Sequence, residues 1–278
     1  MSFAVAGLFR ARPQHPVSDD GRMALSDHFR ELRARLMRSL LVLIVAMIVA
    51  LFFYNQLFDV VARPYQDAVR TLKPDVKTQL VINGVGAGLT IQLKLCALVA
   101  AIATAPYWLY QIWAFILPGL HPRERRWTRL FVAVAGPLFL AGVALGYYVL
   151  PKGIQVLINF TPENATNLID FNDFITFLTR MLLVFGLAFE IPLFVVMLNA
   201  VGVISGKSLA RHRPWIIIGT FVFAAVATPS TDALSMCFLA APMLLLFILS
   251  EVIARTVDRA RGRRQEHALS PDEPSPLP

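Results

Sequence analysis

The chain has 278 residues, of which 56% are hydrophobic and only 16% charged, with a net charge of +8. An ordinary soluble domain is about 45–50% apolar and about 25% charged, so this chain has too little charge to coat a water-facing surface, and a soluble enzyme is excluded. The basic residues fall in short blocks between long apolar runs, which excludes a nucleic-acid-binding stripe and points to membrane orientation and anionic lipid.

Residues 1–22, broken by Pro13, Pro16 and Gly21, are expected to be a disordered extension. A helix starts near Ser26. Phe29, Leu32 and Leu36 at helical spacing make its first turns amphipathic before the first span, 39–54. The polar connection 55–90 is helical in character over 57–65 and irregular over 78–88. Span two, 91–115, contains Pro106, and a tight basic loop, 118–126, leads to span three, 129–150. A second polar connection, 151–173, precedes span four, 174–200, which carries Arg180 and Glu190. A basic loop with Lys207, Arg211 and Arg213 leads to span five, 215–227, and a turn at 228–232 introduces span six, 233–250. Residues 256–278 are charged and then proline-rich, and disorder is expected there too. Runs of about 18 or more uncharged, mostly apolar residues are the mark of membrane-spanning helices. The pattern therefore predicts an all-α integral membrane protein, with a six-helix unit over 23–255.

Six spans put both termini on one side. That side holds seventeen Lys and Arg in its loops and ends, the other five, so both termini are expected in the cytoplasm. Spans five and six are short: about 16 residues each gives about 24 Å against a hydrocarbon core of about 30 Å. Either flanking polar groups snorkel to the interface or the bilayer thins beside this hairpin.

Glu190 lies deep in span four, in Phe189-Glu190-Ile191-Pro192. A carboxylate there costs about 2.5 kcal/mol or more, so it is expected to face a cavity or partner rather than merely to pack protonated, and Pro192 is expected to kink the helix. Glu31 has Arg35 four residues on, which alone describes an ordinary exposed pair. Glu124 stands before span three and Asp232 before span six, where acids suit a helix dipole. Cys96 and Cys237 read as small buried hydrophobes. The five histidines have no metal-ligand spacing, and neither a phosphate loop nor a hydrolase motif is present, so no cofactor, metal or catalytic constellation is expected.

Taken in order, four segments resemble TatC, the multispanning subunit of the twin-arginine protein translocase. They are His28-Phe29-Arg30-Glu31-Leu32-Arg33, the run from Ala105 to Leu120, Glu124-Arg125-Arg126, and Phe189-Glu190-Ile191-Pro192. The resemblance covers about residues 23–255. It implies a cytoplasmic-membrane receptor that binds twin-arginine signal peptides of folded cargo. Such a receptor works in an oligomer with single-span partners of the TatA and TatB type, driven by the proton-motive force without nucleotide. Glu31 and Glu124 would receive the arginine pair, with Phe115 and Leu120 bordering that patch. Glu190 would help to seat a partner helix, and Met236 stands where some members have a polar Gln at a partner contact. Pro64 and Pro106 would shape the scaffold. The competing reading is a proton-coupled small-solute permease using Glu190 and Arg180 as a relay; the absence of internal repeats speaks against it.

Overall fold

The structure, a computed structural model, describes residues 25–70, 72, 77–116, 125–162, 165–200, 204–227 and 233–268. Helix α1 (Leu25–Phe52) is broken at Phe53 from α2 (Tyr54–Arg70). Strand β1 (Lys77–Val81) leads to α3 (Ala87–Ala103) and α4 (Ala105–Ile116). Helix α5 (Arg125–Ile158), strand β2 (Thr166–Asp170) and α6 (Phe171–Ala200) follow. The short α7 (Gly206–Arg211), α8 (Arg213–Ala227) and α9 (Ala233–Ala268) complete the described chain.

The protein is mostly helical. Among the described residues, four helices are long and apolar enough to cross a membrane: Phe29–Phe52, Ala133–Ile158, Phe171–Asn199 and Leu239–Ala260. The bent pair α3–α4 makes a fifth candidate. Helix α8 has 15 residues, about 22 Å, and falls short of the hydrocarbon thickness.

The bend in span two has a local cause. Helices α3 and α4 meet at 59° across Thr104. Pro106 has no N–H to donate, and its ring conflicts with the carbonyl four residues back, so the helix cannot pass straight through. Thr104 closes α3 by donating its hydroxyl to the Ala100 carbonyl at 2.7 Å, and the Trp108 indole donates to Ala101 O at 2.9 Å across the break. Pro192, where a kink was expected, lies inside a continuous α6.

The core sits between α5 and α6. Glycines let the two backbones approach. A Cβ on Gly142 would lie 2.5 Å from the Phe185 carbonyl oxygen, and one on Gly186 would lie 2.5 Å from the Phe139 ring. Gly146 meets Phe185 and Leu182 in the same way, so Gly142 and Gly146 form a small-residue face of the kind that brings membrane helices together. Phe139 and Phe185 are fully buried there, and Trp108 meets Phe139 edge-to-face at 5.3 Å. Helix α2 buries Val61, Ala62, Pro64, Tyr65 and Ala68 on one face, which is the helical character expected of this connection. Pro64, expected to shape the scaffold, is part of that buried face.

Four expectations are corrected. The fold is not purely α: β1 and β2 form a parallel two-stranded sheet, with Lys77 opposite Thr166 and Val81 opposite Asp170. Five-residue strands from connections separated by three helices leave too short a period-2 pattern to detect. The sheet positions α6, because Asp170 at the end of β2 accepts a 2.7 Å bond from Asn172 N and caps the helix. Second, α9 neither stops near Ser250 nor gives way to disorder at 256, but continues to Ala268, and a 22-residue stretch of it, Leu239–Ala260, is long and apolar enough to cross a membrane. Its charges are matched. Glu251, 2% exposed, accepts from Arg213 Nε and Nη2 at 2.6 Å each and from Arg255 at 2.6 Å. Asp258 accepts from Asn199 Nδ2 and Gly206 N, both at 2.7 Å. Third, Cys237 is exposed, whereas Cys96 is buried as expected. Fourth, α5, the helix of span three, extends to Ile158, beyond the apolar run that defined that span, whereas the start of α1 by Leu25 agrees with the helix start expected near Ser26. Residues 1–22 and the turn at 228–232 lie outside the described residues.

Two predictions test this packing. Gly142→Val forces a side chain into the Phe185 carbonyl and is expected to destabilise by at least about 1–3 kcal/mol. Gly219→Ala, which meets nothing within 4 Å, is expected to leave the thermal midpoint in detergent unchanged or slightly raised, since alanine suits a helix interior better than glycine; equal midpoints for the two variants would contradict the contact. Glu251→Ala leaves two guanidinium groups without their shared acceptor. Because Arg213 and Arg255 are 51% and 40% exposed, the expected loss is about 2 kcal/mol, below the about 3–5 kcal/mol of a fully buried pair. It is read as a lowered midpoint of thermal unfolding, and an unchanged midpoint would refute the clamp.

Candidate functional site

The expected site residues divide between two places on the molecule. The first is the end of the bundle where α1 begins and α4 finishes. Glu31 is on the amphipathic start of α1, its side chain 12% exposed. Arg35, one turn on, donates from Nε at 2.9 Å and also from Nη2, both to Oε1 of Glu31. The third donor of the same guanidinium, Nη1, reaches Gln111 Oε1 at 3.4 Å, on α4. Gln111 is 6% exposed. The pair that the sequence presents as an exposed i, i+4 contact is therefore a partly buried bridge that fixes α1 against α4. Oε2 of Glu31 takes no part in it and remains an acceptor in a planar group suited to a second guanidinium. Phe115 is half-buried on the last turn of α4, at the same end. Glu124 and Leu120 lie outside the described residues, and α5 opens at Arg125, directly after Glu124.

The second place is on α6, at the edge of its exposed face. Glu190 is 8% exposed, and neither carboxylate oxygen has a hydrogen-bond partner. Trp113, 4% exposed on α4, faces this carboxylate without reaching hydrogen-bond geometry, and its ring lies 6.0 Å from that of Phe194 one turn further along α6. Since Trp113 follows Gln111 by two residues, α4 carries one residue of each site. An unpaired carboxylate in so apolar a setting is an incomplete interaction, and what it lacks is a donor. Arg180 is exposed on the same helix, ten residues earlier and thus about 15 Å along the axis. Glu190 and Arg180 share no bond, so they do not form the relay that the permease reading needs.

The remaining expected residues lie apart from these two places. Pro106 stands at the bend, with Gly136 of α5 pressed against it: a Cβ there would lie 3.0 Å from the proline ring. Met236 is partly buried against the main core from the first turn of α9.

Several polar residues escaped the sequence reading. Gln111 and Trp113 sit inside an apolar run and carry no charge, so nothing in the pattern marks them. Lys94 did leave a signal, as a cation inside span two. Its Nζ donates to Asn172 Oδ1 at 2.8 Å and Thr176 Oγ1 at 3.0 Å, tying α3 to the start of α6. Glu251, Arg255 and Asp258 stand at helical spacing, but their partners Arg213 and Asn199 lie on other elements, so the segment read as a tail.

Comparison with known proteins bears on the family and the fold. The family model described as "Sec-independent protein translocase protein (TatC)" matches residues 27–242. A protein of that name from Frankia casuarinae is 39% identical over 93% of this chain and 74% of its own length, and one from Xylanimonas cellulosilytica is 37% identical over 90% of each. The crystal structure of "Twin Arginine Translocase Receptor- TatC" superposes with a TM-score of 0.71 at 31% identity, covering 82% of this chain and 97% of that one. A second, of the same receptor in DDM, gives 0.72 at 30% identity, over 82% and 99%.

Proposed function

The chain belongs to the TatC family of Sec-independent protein translocase proteins, and on that premise we propose that it is the receptor that reads the arginine pair of twin-arginine signal peptides. The observation that carries this reading is the Glu31 carboxylate, held by Arg35 through one oxygen while the other takes no bond from that arginine. Guanidinium is planar and offers paired donors, so a fixed carboxylate distinguishes it from the point charge of lysine. A second acid, Glu124, immediately precedes α5 in sequence, and in this reading it receives the second arginine. Phe115, and in the same reading Leu120, supply apolar surface for the hydrophobic stretch that follows the arginines.

In this reading the protein spans the cytoplasmic membrane six times with both termini in the cytoplasm. The bent α3–α4 pair counts as one span and the short α8 as another, with the bilayer thinned beside it. The excess of Lys and Arg at the end that carries the Glu31 site supports that orientation. The unpaired Glu190 seats the helix of a small single-span partner of the TatA or TatB type, and export of the folded cargo draws on the proton-motive force. The permease alternative has no support in the separated Glu190 and Arg180.

The double variant Glu31→Gln, Glu124→Gln is expected to cut export of a twin-arginine cargo to below about a tenth, because each lost charge-assisted bond is worth about 1.5–3 kcal/mol. The readout is the fraction of a reporter cargo outside the cytoplasm, at matched protein levels. Undiminished export by the double variant would refute the reading.

A further inference from the structure

Helix α6 is the most enclosed of the long apolar helices, yet its exposed residues follow a strict rule. From Phe171 to Asn199 they are Asp173, Arg180, Leu187 and Phe194; every other side chain is buried or half-buried. The spacing is seven throughout. A seven-residue repeat drifts by only about 20° per step on an α-helix, so these four side chains form a nearly straight seam one residue wide. That is the footprint of a single helix packed at a shallow left-handed crossing. Helix α1 is the contrast: it exposes Leu40, Leu41, Ile44, Val45, Ile48 and Val49 over a broad face, as contact with lipid chains alone would allow.

The seam is also chemically marked. Arg180 has no ion pair or hydrogen bond among the described residues, although it lies nine residues into a spanning helix, where an uncompensated charge is costly. Its nearest charged neighbours do not neutralise it. Lys94 is bonded to Thr176, one turn before Arg180, and adds positive charge; Asp173 is two turns away. At the other end, Glu190 lies between Leu187 and Phe194 with both oxygens buried and unpaired. Hydrocarbon chains could fill the apolar part of this slit but would satisfy neither group.

We propose that the seam of Asp173, Arg180, Leu187 and Phe194 is the docking groove for one apolar partner helix that carries a carboxylate, bound by Arg180. The same helix presents a hydrogen-bond donor to Glu190. The two polar groups of the partner stand about ten residues, or about 15 Å, apart, matching the rise between Arg180 and Glu190. The inference rests on the reading that a single-span partner seats at Glu190, and adds to it the acidic group that the partner must bring and the residue that recognises it. A signal peptide is the wrong occupant, since the hydrophobic stretch that follows its arginines brings no carboxylate for Arg180.

The test uses the full chain, dye-labelled and reconstituted in vesicles of neutral lipid. The probe is a synthetic Leu/Ala helix of membrane-spanning length with one Glu and, ten residues on, one Ser. Energy transfer is expected to show this peptide binding at least about tenfold more tightly than its Glu→Gln version. Arg180→Leu removes that preference, and Arg180→Glu transfers it to a peptide bearing Lys in place of Glu. Equal binding of the Glu and Gln peptides to the wild-type chain would overturn the proposal, as would a preference that survives Arg180→Leu. A preference that disappears when anionic lipid is added would assign Arg180 to a lipid phosphate and overturn it as well. Discrimination between Arg-Arg and Lys-Lys signal peptides at Glu31, measured on the wild-type chain in the same vesicles, reports on the receptor reading separately.

Discussion

The close approach of α5 and α6 is the contact on which the arrangement turns. Gly142 and Gly186 leave no room for a Cβ on either side, so the two backbones meet where other residue types would hold them apart. In a bilayer, helices gain nothing from hiding apolar surface that lipid would cover equally well, and close packing must supply the association. The consequence reaches both candidate sites. Helix α6 is held so deeply that only a one-residue seam remains open along it, and Glu190 sits at the edge of that seam. On the far side of α5, Gly136 lets Pro106 come close, which fixes the bend that swings α4 and its Gln111 and Trp113 into place.

Charge is then distributed according to whether it is matched inside the chain. Glu251 is nearly inaccessible, but two arginines surround it, and Asp258 collects two donors from the α6–α7 connection. These groups lock α7, α8 and the end of α9 together. Glu31 is half-committed, with one oxygen held and one open. Glu190 and Arg180 are uncommitted. The gradation separates scaffold from site better than residue type does, since acids and arginines occur in all three groups. Unmatched polar groups inside a membrane are expensive and persist where a partner completes them.

The sequence made the large features legible because they rest on long-range composition. The apolar runs located every long helix, the four motif segments pointed to the family, and Pro106 marked the position of the bend. What stayed hidden depends on pairings between distant segments. The β1–β2 ladder joins two polar connections that look irregular separately. The extension of α9 was misread as a tail because Glu251 and Asp258 look like the polar end of a helix until Arg213, Asn199 and Gly206 are brought to them. Glu31 and Arg35 were visible as a pair, but Gln111, which turns that pair into a bridge between helices, is an uncharged residue within an apolar stretch. The seam on α6 was hidden for the opposite reason: Arg180 and Glu190 were both conspicuous, but which face of the helix stays open is decided by its neighbours.

The most direct test of the account is photo-crosslinking from positions beside Glu31 on α1 and beside Glu124, using a signal peptide with Arg-Arg and its Lys-Lys counterpart in membranes without nucleotide. The account predicts crosslinks with Arg-Arg that disappear with Lys-Lys, because a fixed carboxylate reads the guanidinium plane rather than the charge. Equal crosslinking of the two peptides, or none with either, would contradict it and return Glu31 to the role of a helix-to-helix bridge alone.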